Sequence, residues 1–234
     1  DYYSNGMVMA YLYGQICHYA LDTTCHPYII YCTGKYYEDD KDSYKYNGLH
    51  EEMEYYIDCY LIWERKHILP KKYKAYKELF CNMKFNDELR DVIDKVTFDV
   101  YGFDDVSNKY LKSINDMKKF YHVFNYDRFG IKKIVYSIMD MVCGNKFVKK
   151  KELSFCIDPN SKLYYLNKDK LEWNHPCFKD EIYNYSFEEL YNIAIDKAIL
   201  IIDEIDDMFK NKNINENRIK ELFGNLDYGS GKNC

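Results

Sequence analysis

Ser186-Phe187-Glu188-Glu189-Leu190 opens the stretch that decides the fold, and it runs on to Met208 as SFEELYNIAIDKAILIIDEIDDM. Ser186 with Glu189 three residues later is a capping box, each side chain answering a backbone N–H that the start of a helix leaves without a partner. Beyond it, Phe187, Leu190, Ala194, Ala198, Ile201, Ile205 and Met208 recur at steps of three and four. That spacing is one apolar stripe along a long helix.

The same period appears elsewhere. Residues 7–26 place Met9, Leu12, Ile16 and Ala20 on one face, and Pro27 is expected to stop that helix, since the residue before proline is pushed out of the α region. Residues 27–48, with the acidic cluster Glu38-Asp39-Asp40, read as a loop. A second helix covers 49–66 with Leu49, Met53, Ile57 and Tyr60 inward. Shorter helices are predicted at 72–81, 87–101, 107–124 and 128–143. A β-hairpin is predicted over 152–167, with arms 153–157 and 162–166 around the turn Asp158-Pro159-Asn160-Ser161. The fold class is therefore all-α with a minor hairpin.

Composition agrees. Ten Gly and four Pro are too few to turn the corners of a β-sandwich or barrel. A 47% apolar and 30% charged make-up excludes wholesale disorder. Lys and Arg number 33 against 38 Asp and Glu, a net charge of −5, so no nucleic-acid partner is expected. The longest apolar run, Ala198-Ile199-Leu200-Ile201-Ile202, is far too short to span a bilayer. Nine cysteines without a CxxC pair read as reduced thiols of a cytoplasmic protein. The chain opens Asp1-Tyr2-Tyr3 without Met, and the reading is one helical domain over 1–234 that lacks an N-terminal segment. The 27 tyrosines carry no functional weight by themselves.

The chemistry gathers in the first sixty residues. His18, Asp22 and His26 stand at i, i+4 and i+8, so their side chains share a face away from the apolar stripe. His50 and Glu54 repeat the i, i+4 step on the second helix, with Asp58 one turn further. Two antiparallel helices would converge these imidazoles and carboxylates between them, as helical bundles do to build metal centres, and the ligand set suits zinc. The plainer reading is exposed polar pairs, with His26 merely ending its helix. Elsewhere His67 reads as a helix-end cation, His122 as packing and Trp173-Asn174-His175-Pro176 as an anchor before the last helix. Lys149-Lys150-Lys151 reads as solvated charge.

The string GQICHYALDTTCHPY from Gly14 to Tyr28, followed by HEEMEYYID from His50 to Asp58, resembles the zinc-dependent phospholipase C family in its signal-less bacterial branch. Tyr165-Leu166-Asn167, Glu172-Trp173-Asn174-His175-Pro176 and Ser186-Phe187-Glu188-Glu189-Leu190-Tyr191 extend the likeness. The resemblance implies an all-helical domain holding up to three zinc ions. His18 would bind the first, Asp22 would bridge first and third, and His26, His50 and Glu54 would hold the second. Asp58 would orient His50 or Glu54 from behind. It also implies metal-activated water attacking the phosphodiester of a phospholipid or other phosphoester, with peripheral membrane contact for which loop 27–48 is a candidate. Tyr19, Tyr28, Tyr55 and Tyr56 would line a headgroup pocket or pack the core. The family's further ligands lie upstream of the His-x3-Asp helix, where this chain offers only Asp1 and no histidine. The alternatives are a non-catalytic or degenerate helical zinc-binding protein, and a zinc nuclease of the same superfamily.

Overall fold

The computed structural model describes residues 2–81, 84–143, 150–155 and 157–233. Its helices are α1 (Gly6–Thr33), α2 (Leu49–Lys66), α3 (Ala75–Glu78), α4 (Asp87–Tyr101), α5 (Val106–Phe120), α6 (Ile131–Cys143), α7 (Phe187–Lys210) and α8 (Glu216–Phe223). An antiparallel pair, β1 (Trp173–Asn174) and β2 (Ile182–Tyr183), joins Trp173 to Tyr183 and Asn174 to Ile182. The described chain is thus all-α with one small strand pair. It divides into two compact units, Asp1–Met9 with Glu54–Ser161, and Ala10–Met53 with Lys162–Cys234.

In the second unit α7 is organised as its sequence predicts. Ser186 Oγ accepts the Glu189 N–H at 3.2 Å, and Glu189 Oε2 accepts the Ser186 N–H at 2.9 Å. Every residue of the predicted stripe is buried. Ala198, Ile201 and Ile205 pack with Ile16 and Ala20 of α1, and Leu222 and Phe223 of α8 close the cluster. Helix α8 is absent from the sequence reading, although Asn215 caps its start by accepting the Arg218 N–H and Gly224 ends it in a left-handed conformation.

Helix α1 corrects an expectation. It does not stop at residue 26; Pro27 lies inside it and the helix runs on to Thr33. Proline lacks the N–H that would have bonded the Thr23 carbonyl, a disruption that usually breaks a helix. Burial offsets it here: Pro27, Tyr28, Ile29 and Ile30 are all buried, so continuing the helix keeps that apolar turn out of water. The Thr23 carbonyl is covered by the backbone at Gly231, where any Cβ would collide with it. The helix ends where Gly34, at φ +71°, donates its N–H to Ile30 O, and a side chain there would strike the Tyr46 ring. What remains of the predicted loop contains a 3₁₀ segment, Lys41–Tyr46.

The predicted hairpin over 152–167 is also corrected. Its turn is real, with Asp158 accepting from Asn160 N and Ser161 N. Among the described residues its arms do not pair. Phe155 donates its N–H to Asn125 O and, with Ile157, joins the core of the first unit, whereas the segment after Ser161 belongs to the second and forms a 3₁₀ turn, Leu163–Leu166. Short apolar runs satisfy either structure, and partners outside the run decided this one. Cys156, inside the first arm, lies outside the described residues.

Helix α2 has the predicted bounds, and so does α4 in the first unit. Cys59, Ile62, Tyr73, Ala75, Phe155 and Ile157 form that unit's core, with Tyr55, Tyr56 and Tyr121 packed against them. The predicted helix 72–81 shrinks to α3 after a 3₁₀ turn at Pro70–Lys72. The helix predicted over 107–124 ends at Phe120 and continues as a π-turn, Tyr121–Asn125. The one predicted over 128–143 starts at Ile131. Lys150 and Lys151 are not simply solvated, because both backbone N–H groups are held at 2.9 Å by Asp140; Lys149 lies outside the described residues.

The cysteine reading needs correction too. Cys17, Cys25, Cys32, Cys59 and Cys81 are free thiols, but Cys177 is disulfide-bonded. Disulfides form where chain neighbours in space allow, which CxxC spacing does not report, and they persist in oxidising compartments. The cysteines therefore lend no support to a cytoplasmic location. No helix among the described residues is long and apolar enough to cross a membrane.

Candidate metal centre

His26, on the last third of α1, meets His50 and Glu54, one turn apart on α2. One ligand atom from each lies within 4.8 Å of the others, and all three side chains are half-buried. The imidazole rings of His26 and His50 stand 5.2 Å apart, steeply inclined. The fold places them because α1 does not stop at Pro27: the buried turn behind His26 fixes the helix, and the ring projects from a rigid frame.

The protonation of His26 follows from its partner. Its Nδ1 lies 2.8 Å from the Tyr228 carbonyl oxygen, which can only accept, so Nδ1 carries a proton. Metal-binding histidines are usually tethered in this way, one ring nitrogen donating to a backbone carbonyl. His175 shows the opposite tautomer. Its Nδ1 accepts the N–H groups of Cys177 and Phe178, both at 3.2 Å, so Nε2 donates to Ser230 O at 2.8 Å. With both nitrogens occupied and the ring buried, His175 anchors the chain. Trp173 does the same, its Nε1 donating to Tyr185 O, which agrees with the reading of this stretch as an anchor.

His18 and Asp22 are placed differently. They pair with each other, Nε2 to Oδ2 at 3.3 Å, with His18 largely exposed, and they stand outside the three-residue group. Asp58 is exposed to water at its surface, yet dense protein surrounds its carboxyl. Lost hydration, then the charge of Glu54, push its carboxyl up to about 7. That electrostatic coupling ties it to the group, and no direct hydrogen bond to His50 or Glu54 accompanies it among the described contacts. Cys25, beside the ligands in sequence, is buried, and burial with Asp22 nearby pushes its thiol up to about 12, which leaves it unreactive at neutral pH. Tyr19 and Tyr28 are buried, and Tyr55 and Tyr56 pack on the core, so all four serve packing. His67 follows α2 in a left-handed conformation, and exposed His122 lies against Tyr76 with ring centroids 4.4 Å apart.

Sequence reasoning missed the C-terminal segment. Asp227 accepts from Ser230 N and Oγ, both at 2.7 Å, and these bonds hold its carboxyl below the usual range. The turn so formed presents the Tyr228 carbonyl to His26 and its ring to His18, at 5.4 Å. Asp-x-x-Ser is a turn signal, but the contact uses a backbone oxygen, which no side-chain pattern encodes.

A cavity of about 890 Å³ in the second unit is lined by Tyr31, Tyr37, Tyr46, Lys35, Lys45 and Asp40 among others. A smaller one, about 280 Å³, shares Ile30, Gly34, Lys35, Tyr37 and Tyr46 with it and reaches His50. Comparison of the chain with protein-family models, curated proteins and solved structures finds no match.

Proposed function

We propose that this chain is a zinc-dependent phosphoester hydrolase of the phospholipase C kind, with His26, His50 and Glu54 as its metal ligands. The observation that carries the reading is their convergence, together with the Tyr228 carbonyl that tethers the His26 ring through Nδ1. Two imidazoles and one carboxylate leave a coordination position open, the arrangement of catalytic rather than structural zinc. The ion supplies Lewis acidity there, which polarises a phosphoryl group and brings water deprotonation close to neutral pH. The chain's own residues position it: Tyr228 O sets the His26 tautomer, and the rigid turn of α2 fixes His50 against Glu54. The two neighbouring cavities, the smaller lined by His50, have tyrosine faces and both signs of charge and suit a zwitterionic phosphate ester.

One observation favours a second reading. Asp22, the carboxylate that would bridge further ions, is engaged by His18 instead. A single ion held without a polynuclear site would make the domain a helical zinc-binding protein without catalysis.

Two measurements separate these readings. Elemental analysis of the purified chain is expected to find zinc, and His50→Ala and Glu54→Ala are expected to lose it; no metal in the wild type overturns both. Hydrolysis of phosphatidylcholine and simpler phosphoesters, with zinc supplied, is expected from the wild type and lost in Glu54→Ala. A zinc-loaded protein without activity leaves only the binding role.

A further inference from the structure

Helix α6 turns its apolar face outward. Ile131, Ile134, Val135, Ile138, Met141 and Val142, at the i, i+3, i+4, i+7, i+10, i+11 positions of one stripe, are all exposed, and Phe129 just before them is 78% exposed. The polar face is the one the first unit holds. Lys132 Nζ donates to Tyr126 O at 2.7 Å, Tyr136 Oη to Phe124 O at 3.4 Å, and Asp140 accepts the N–H groups of Lys150 and Lys151. Those three residues stand at i, i+4 and i+8, so rolling the helix to hide its apolar stripe would break all of these bonds. Asp127, which accepts the Lys133 N–H, pins the first turn as well. The exposure is built in.

Charge says what should cover it. The carboxylates around the helix are withdrawn from the surface: Asp127 and Glu152 are buried, and the Asp140 side chain is 11% exposed. The cations are not withdrawn. Arg128 is exposed at one end. At the other, Lys150 and Lys151 stand 3.6 and 3.8 Å from the carboxylates of Asp140 and Glu152 but keep 31% and 42% of their side chains in water. Those carboxylates keep 11% and 3%, so the cations are the outward members of both pairs. An apolar stripe bracketed by cations, in a chain of net charge −5, is complementary to an anionic lipid surface and not to an acidic copy of the same chain. We infer that the outward face of α6 docks the protein on anionic membranes, its aliphatic side chains entering the headgroup boundary and its flanking cations meeting lipid phosphates. This does not depend on the metal centre.

The test uses the whole chain and vesicles of phosphatidylcholine with or without phosphatidylglycerol. Wild type is expected to sediment with the anionic vesicles, less so as salt rises, and little with pure phosphatidylcholine. Ile134→Asp/Ile138→Asp, which changes only exposed positions, is expected to bind about tenfold more weakly or worse with unchanged circular dichroism. Phe129→Trp is expected to shift its emission to the blue on anionic vesicles. Equal binding by the double variant, or no wild-type binding, overturns the proposal. So does a wild-type dimer in sedimentation that the double variant abolishes, which would make the face a self-association surface.

Discussion

Helices α7 and α6 have the same kind of amphipathic pattern and bury opposite faces. In α7 the stripe from Phe187 to Met208 is inside, packed on α1 and α8. In α6 the stripe from Ile131 to Val142 is outside, and Lys132, Tyr136 and Asp140 face the protein. Periodicity therefore establishes that a helix has two faces. Which face is turned inward depends on partners far along the chain.

The sharpest way to break this contrast is to trim one aliphatic group from each helix. Ile201→Ala should cost about 2–5 kcal/mol, the range for deleting a buried aliphatic side chain, read as a shift of the urea midpoint. Ile138→Ala should stay within about 0.5 kcal/mol of wild type. A large loss at Ile138 would mean that α6 buries its stripe after all. The inward side gives the next effect: Asp140→Ala should destabilise by about 1–3 kcal/mol, because two backbone N–H groups lose their acceptor. Ser186→Ala should cost about 1 kcal/mol through loss of the α7 cap, measured in the same unfolding series.

The smallest effect is a pH dependence. Lys170, then the Ser186 N–H and hydroxyl, hold the Glu189 carboxyl down at about 2, against an ordinary value of 4.5. A depressed carboxyl stabilises the fold fully above its unfolded value and loses that contribution as pH falls through its folded value. The difference in thermal midpoint between wild type and Glu189→Gln should be constant above about pH 5 and shrink between about 4.5 and 2. An unchanging difference would show that the cap does not depend on the charge.

The parts legible in the sequence are those written locally. The capping box and stripe of α7, and the bounds of α2 and α4, need no information beyond their own residues. Pro27 misleads because its penalty is local while its compensation, burial and the Gly231 backbone, is not. The hairpin misleads because residues on either side of Ser161 join different compact units. At the candidate site, the i, i+4 spacing finds His26, His50 and Glu54 among five expected ligands, since helix geometry fixes which side chains share a face. It gives no means of telling that His18 and Asp22 engage each other, nor that a carbonyl near the C-terminus selects the tautomer.

That carbonyl has a consequence in time. Tyr228 follows His26 by 202 positions, so during synthesis α1 and α2 leave the ribosome long before their tautomer-setting partner exists. Until then no carbonyl holds the proton of His26 on Nδ1. A metal site that uses His26 would be complete only once Tyr228 has been made and has packed against it, so the fold would precede the ion.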